Sequence, residues 1–128
     1  MGLIGRDYGG LIMALFRCCG GGKTQLTEHI VSATDFPNIF KYIDVRDDSY
    51  IITDSIVKRI VCTVTYRNGA TWSASKINIY DMDGNKLFST ESPTTLDIVL
   101  DNVNGIRVSL YSTIADGGLY FSEFKYYT

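Results

Sequence analysis

Few residues of this 128-residue chain could carry out chemistry, and they form no catalytic signature. His29 is the only histidine, which excludes a multi-histidine metal site and leaves one imidazole for acid–base work. No Gly-x-Ser-x-Gly nucleophile elbow accompanies it. A hydrolytic pair among the 14 acidic residues is left open, since nothing in their spacing singles out two of them. The sequence therefore predicts a protein that is not an enzyme.

Two short segments resemble ligand-binding motifs but have a structural interpretation. Gly22-Lys23-Thr24 matches the end of a phosphate-binding loop, yet the first glycine of that motif would fall on Arg17. Residues 81–85 (Asp-Met-Asp-Gly-Asn) resemble part of a calcium loop, although strand patterns rather than helical patterns flank them. We expect no nucleotide site at the first segment and a tight β-hairpin at the second.

Composition and charge narrow the class of protein. An apolar share of 45% and a charged share of 20% indicate one globular domain. The net charge of −2 is dispersed, so we expect no binding to nucleic acid. The apolar run at 11–16 is too short to span a membrane and is weak as the core of an export signal, so we expect no export by the standard routes. Cys18, Cys19 and Cys62 lack disulfide or zinc spacing, which favours free thiols in a protein made in a reducing cytoplasm.

Alternation of apolar and polar residues predicts β-strands through the second half of the chain. The predicted strands are 57–66, 76–80, 86–88, 96–100, 106–110 and 119–127, with turns at 68–69, 81–85, 92–93, 104–105 and 116–118. Residues 44–54 predict an acidic loop around a short strand at 50–53, and 24–31 fit either a helix or a strand. Frequent turns without a long amphipathic helix are typical of an all-β antiparallel sandwich.

The N-terminal segment differs from the rest because it is rich in glycine and also apolar. Seven of the 12 glycines lie in its first 22 residues. Such a segment is expected to lie against another surface, in its own domain or on a neighbouring subunit. We therefore divide the chain into an arm, residues 1–23, and a β-sandwich domain, residues 24–128. The arm residues expected to dock are Leu3, Ile4, Leu11, Ile12, Met13, Leu15 and Phe16.

The region from Trp72 to Tyr127 resembles the latter part of galactose-binding-like jelly-roll domains, the discoidin or coagulation-factor C-type group that includes many carbohydrate-binding modules. The matching segments are 77–85 (INIYDMDGN), 105–110 (GIRVSL) and 121–127 (FSEFKYY). The resemblance covers somewhat under half of the chain. It implies a jelly roll in which an acidic loop and a glutamate of the last strand hold Ca²⁺, and in which loops at one end bind a ligand.

This resemblance assigns roles to particular residues. The residues expected to hold Ca²⁺ are Asp44, Asp47, Asp48 and Glu123. The residues expected to contact a glycan are Trp72, Arg67 and Asn68. The alternatives are solvated surface carboxylates and a core position for the tryptophan.

The chain departs from secreted members of that group because it shows no export-signal pattern and carries the apolar arm. We therefore predict a non-catalytic virion protein, a bacteriophage tail or capsid accessory component, whose sandwich faces outward. Its arm would dock on other virion proteins or on copies of itself. The alternative is a glycan-binding module that recognises cell-surface carbohydrate through its end loops. In both cases function is expected in the loops and the arm rather than in the strands.

Overall fold

The computed structural model describes residues 3–4, 16–17, 25–42, 45–66, 74–113 and 118–128. In these ranges the strands are β1 (Leu3–Ile4), β2 (Phe16–Arg17), β3 (Glu28–Ile30), β4 (Arg46–Tyr66), β5 (Ser75–Tyr80), β6 (Lys86–Thr90), β7 (Thr94–Ser112) and β8 (Leu119–Tyr127). A single turn of 3₁₀ helix, Pro37–Ile39, lies between β3 and β4. The described residues thus form an all-β antiparallel structure, which confirms that part of the prediction, whereas the sandwich and the jelly roll stay predictions.

Six of these strands form one antiparallel sheet in the order β3-β8-β4-β7-β5-β6. β1 and β2 pair with each other separately. β4 and β7 are the longest strands, and they pair from Arg46 opposite Ser112 to Val64 opposite Thr94. β8 adds to residues 59–66 of β4, and β5 adds to the last part of β7. We call the region around β3 and β8 the β8 half of the sheet, and the region around β5 and β6 the β5 half.

Irregular pairing separates the two halves. The register of β4 against β7 shifts three times between Ile51 and Arg59. Extra residues of this kind bend a strand and increase its twist. On the β7 side of this region lies Gly105, which is buried and has a φ of +80°. The bends allow both halves of the sheet to contribute to a single core.

One apolar cluster contains the buried side chains of both halves. Its fully buried members include Ile60 and Val64 of β4, Ile77 of β5 and Phe121 of β8. Burial of each large apolar side chain contributes about 1.5–3 kcal/mol before the entropic cost of ordering it. Cys62 belongs to the same cluster, and burial raises the pKa of its thiol to about 12. It therefore stays protonated and packs as a small apolar residue.

Several predicted elements are confirmed by the structure. β8 has the predicted bounds, and the chain between β6 and β7 breaks around Pro93. The hairpin at 81–85 is present: the carboxylate of Asp81 accepts backbone N–H groups of Asp83 and Asn85, each at 2.9 Å. Gly84 supplies the positive φ that this turn requires. The segment left open at 24–31 contains a strand, Glu28–Ile30.

Two predictions about loops were wrong. Residues 46–54 belong to β4 instead of forming an acidic loop, because pairing with β7 continues through them and Asp47 simply points outward. The predicted turn at Asn104 and Gly105 lies inside β7. There the glycine makes a local irregularity without reversing the chain, since its missing side chain lets the backbone of β4 approach.

The arm and the remaining turns are mostly outside the described residues. Within the arm, the structure describes only the backbone pairing of β1 with β2. The turn at 68–69, most of the turn at 116–118 and Cys18 and Cys19 also fall outside, so these predictions stay predictions.

An ion pair between the buried Arg46 and the half-buried Asp48 ties the segment before β4 to that strand. The guanidinium of Arg46 donates to both oxygens of Asp48, at 2.8 and 2.9 Å, and to the carbonyl oxygens of Asn38 and Lys41. The hydroxyl of Tyr50 donates to the same carboxylate. Burial pushes the pKa of Asp48 upward, but the hydrogen bonds from Arg46 and Tyr50 and the charge of Arg46 together hold it below its ordinary value. Partners on all sides are what a buried guanidinium requires.

Substitution of Gly105 tests the irregularity in β7. A Cβ there would lie 2.8 Å from the carbonyl oxygen of Thr53, whereas a Cβ on Gly84 would meet open space at a similar φ. We expect Gly84→Ala to lower the free energy of unfolding by about 1–2 kcal/mol, through backbone strain alone. Gly105→Ala should lower it by about 3 kcal/mol or more, since steric overlap adds to the strain. Urea denaturation of both variants measures the difference, and equal losses would contradict the close approach.

Acid sensitivity tests the ion pair of Arg46 with Asp48. A carboxylate whose pKa is lowered on folding stabilises the protein above its unfolded pKa and loses that contribution as the pH falls through the folded value. We expect Asp48→Asn to be less stable than the wild type at pH 7 and to lose less stability on acidification from pH 5 to pH 2. Part of the acid sensitivity should persist, because the pKa values of Asp81 and Asp97 are also lowered. Unfolding free energies measured across this pH range in parallel decide the question, and identical slopes would count against the pair.

Candidate ligand-binding surface

The predicted calcium ligands are not brought together by the described residues. Asp44 lies outside them. Asp47 and Asp48 are at the start of β4 in the β5 half, and Asp48 is held by Arg46. Glu123 lies opposite Thr63 in the β8 half, 3.7 Å from the ammonium of Lys125. Among the described residues no group of three or more His, Cys, Asp or Glu side chains could hold a metal ion. The calcium site stays a prediction.

The predicted glycan contacts, Trp72, Arg67 and Asn68, lie outside the described residues, so the end-loop site is untested.

The only histidine of the chain, His29, packs against residues of the C-terminal segment. The Nε2 atom of His29 is 2.9 Å from the hydroxyl of Thr128, and its ring stacks on Tyr126 with a centroid distance of 4.8 Å. This arrangement fixes the edge strand β3 onto β8.

The outer face of the β5 half carries three rows of side chains that cross neighbouring strands. Residues directly opposite in an antiparallel sheet point to the same side, so the strand register defines the rows. The arginine row is Ile51, Arg107, Tyr80 and Lys86. The floor row is Ser49, Ser109, Asn78 and Ser89. The tyrosine row is Asp47, Tyr111 and Lys76. This face, in which a row of small polar residues lies between two rows of long side chains, is called the outer groove below.

The alternation of β5 and β7 explains why these residues face outward. Ile77 and Ile79 of β5 are fully buried in the core, so Lys76, Asn78 and Tyr80 must point to the other face. On β7 the buried residues are Ile106, Val108 and Leu110. The intervening Arg107, Ser109 and Tyr111 therefore lie on the same outer face. Burial of one set of residues in the core thus determines which residues of β5 and β7 face the groove.

The groove presents an exposed aromatic side chain and a stacked one. Tyr111 is 42% exposed. The guanidinium of Arg107 lies over the ring of Tyr80, 4.6 Å from its centroid. A cation in this position is attracted by the negative face of the ring, which restricts the arginine to one region of the groove. At the other wall, the ammonium of Lys76 is 3.6 Å from the carboxylate of Glu91.

Asn78 occupies the floor row and has an unmet hydrogen-bond acceptor. It is only 9% exposed, and its Oδ1 atom has no hydrogen-bond partner. Buried polar atoms nearly always have a partner, and leaving one unpaired costs about 1–3 kcal/mol. The flanking residues on the same face of β5 are Lys76 and Tyr80, both with long side chains. A hydroxyl group that donates to Oδ1 would complete its hydrogen bonding.

The hairpin between β5 and β6 is positioned by the irregularity in β7. The backbone N–H of Met82 donates to the carbonyl oxygen of Asn104 at 2.8 Å, and the Met82 side chain lies against Gly105. This contact fixes the end of β5 that carries Tyr80. The contact of Met82 with Asn104 and Gly105, outside the groove, therefore helps to place Tyr80 beside Arg107.

This face was not predicted from the sequence, because function was expected in the loops and the arm and the strands were expected only to form the fold. The signal was nevertheless present in the polar phase of each alternation: residues 76, 78 and 80 on one strand and 107, 109 and 111 on the other. A tyrosine, an amide and an arginine at such positions indicate a binding surface only when the strand register is known to place them side by side. That register comes from tertiary structure.

No protein-family model matches this chain, and no curated protein or solved structure matches it. Within the described part of the chain, none of the helical structure is long and apolar enough to cross a membrane.

The unmet acceptor on Asn78 leads to a prediction about stability. We expect Asn78→Val to leave the free energy of unfolding unchanged or to raise it by about 1 kcal/mol, because the variant removes an unpaired buried acceptor and favours a strand. Ser75→Ala on the same strand is the matched control. It breaks a buried hydrogen bond of 3.1 Å to the hydroxyl of Ser112 and should cost about 1 kcal/mol. Chemical denaturation compares the two, and a large loss for Asn78→Val would show that the amide has a structural partner.

Proposed function

We propose that this chain is a non-catalytic glycan-binding protein and that the outer groove is its binding surface. The observation that carries this proposal is the composition of the groove: Tyr80 and Tyr111 on opposite walls, with an amide and serine hydroxyls between them. Carbohydrate has apolar C–H faces and many hydroxyl groups. A surface that binds it needs aromatic rings for the first and hydrogen-bonding groups for the second.

The rigidity of the groove supports the same function. The groove residues of β5 and β7 stand on strands paired on both sides, and the backbone beneath them is anchored by fully buried residues such as Ile77, Ile79 and Val108. A surface that is ordered before binding loses less conformational entropy when the ligand arrives. Flexible polar ligands such as oligosaccharides benefit most from this, since they themselves lose entropy on binding.

The biological setting that we propose is a bacteriophage virion, as a tail or capsid accessory protein with a galactose-binding-like sandwich. In such a particle the arm, residues 1–23, would attach to other virion proteins or to copies of this chain, and the groove would face the host cell surface. The support is the apolar, glycine-rich sequence of the arm, which is suited to docking.

A glycan array tests the binding function. We expect the wild-type protein to bind a defined set of glycans, and Tyr111→Ala and Asn78→Val each to weaken that binding at least tenfold, which corresponds to about 1.4 kcal/mol. Tyr127→Ala is the matched control, because Tyr127 lies on β8 under Arg59 and away from the groove. Trp72→Ala tests the end-loop alternative in the same assay. Binding to no glycan would sink the proposal, and a loss confined to Trp72→Ala would move the site to the end loops.

A further inference from the structure

We propose that the outer groove selects acidic glycans and that Arg107 binds a carboxylate of the sugar. This inference rests on the proposed glycan-binding function and specifies its ligand class. Two arginines, Arg59 and Arg107, occupy similar positions on the outer faces of the two halves of the sheet but differ in their partners.

In the β8 half, the guanidinium of Arg59 lies over the ring of Tyr127, 5.1 Å from its centroid. Its hydrogen-bonding edge is occupied by Asp97: Nε donates to Oδ1 at 2.9 Å and Nη2 donates to Oδ2 at 2.7 Å. This is the two-point geometry in which arginine binds a carboxylate most strongly. In this half, therefore, one arginine stacks on a tyrosine and binds a carboxylate of the protein itself.

In the β5 half, Arg107 and Tyr80 form the same stacked pair, with a centroid distance of 4.6 Å. The register neighbours of Arg107 are Ile51 on one side and Tyr80 on the other, and no described carboxylate lies within ion-pair distance of its guanidinium. The stacked tyrosine orients the guanidinium and leaves its hydrogen-bonding edge for a ligand.

The surrounding charges favour an anion. Lys86 shares the arginine row. Lys76 stands at the opposite wall, only partly neutralised by the exposed Glu91 at 3.6 Å. The opposing charge in the groove is Asp47, at the far end of the tyrosine row. The chain as a whole has a net charge of −2, so this positive region is a local feature of the groove.

The spacing on β7 indicates the size of the ligand. Arg107 and Tyr111 are four residues apart on one strand, which separates their Cα atoms by about 13 Å. The sugar that carries the carboxylate and the sugar that stacks on Tyr111 are therefore different units of one oligosaccharide. Between them lie Ser109 and Asn78, whose polar groups can bind hydroxyls of the intervening part.

The test uses an array of carboxylated oligosaccharides, uronic-acid and sialic-acid types, each printed beside its carboxyl-reduced neutral counterpart. We expect the wild-type protein to bind carboxylated members at least tenfold more tightly than their reduced counterparts, and to lose affinity as sodium chloride is raised. Arg107→Gln should abolish this preference, and Arg107→Lys should restore it only in part, because an ammonium lacks the two-point geometry. Arg59→Gln is the matched control and should keep the preference. Melting temperatures of all three variants exclude unfolding as the cause.

Each remaining outcome overturns a defined statement. Equal binding to both members of the pairs would overturn the acidic preference while leaving the glycan-binding function in place. A preference for acidic members that Arg107→Gln retains would overturn the role of this arginine. Binding to no member of either kind, on this array and on the neutral glycans of the broader one, would overturn the function itself.

Discussion

The structure depends on the pairing of β4 with β7, two strands of 21 and 19 residues that run antiparallel along almost their whole lengths. Every other strand of the six-stranded sheet is attached to one of these two, directly or through a neighbour. β8 and then β3 follow on the β4 side, and β5 and then β6 follow on the β7 side. Because the long pair passes through both halves, its register determines which residues of each half face the core.

The middle of this pair combines strand pairing with a change of direction. Three register shifts between β4 and β7 and a positive φ at Gly105 on β7 interrupt regular pairing between the halves. The same region receives the hairpin after β5 through the hydrogen bond from Met82 to Asn104. The same backbone irregularity therefore interrupts the pairing of β4 with β7 and fixes the end of β5 that carries Tyr80. A glycine is needed there because a side chain would overlap the opposite strand.

The two outer faces use their charged residues differently. In the β8 half, charges are paired internally, with Arg59 bound to Asp97 and Lys125 close to both Glu28 and Glu123. In the β5 half, Arg107 has an aromatic partner and no described carboxylate, and Asn78 retains an unmet acceptor. Exposed ion pairs add little stability, so the contrast concerns what each face can bind. A face with satisfied charges resembles ordinary solvated surface, whereas one with free donors and acceptors is suited to recognition.

The sequence by itself determined the strand class, the inward phase of the strands that it predicted and the hairpin at 81–85, because these depend on alternation and on turn residues close together in the chain. It could not show that residues 46–54 continue a strand or that Gly105 lies within one, since acidic and glycine residues favour loops until a partner strand supplies hydrogen bonds. The groove was equally hidden. Arg107 and Tyr80 are 27 positions apart, and only the register of β5 on β7 places them side by side. Local patterns thus decided which residues face outward. Long-range pairing decided which of these residues become neighbours, because the alternation within a strand does not specify its partner strand or the register of their pairing.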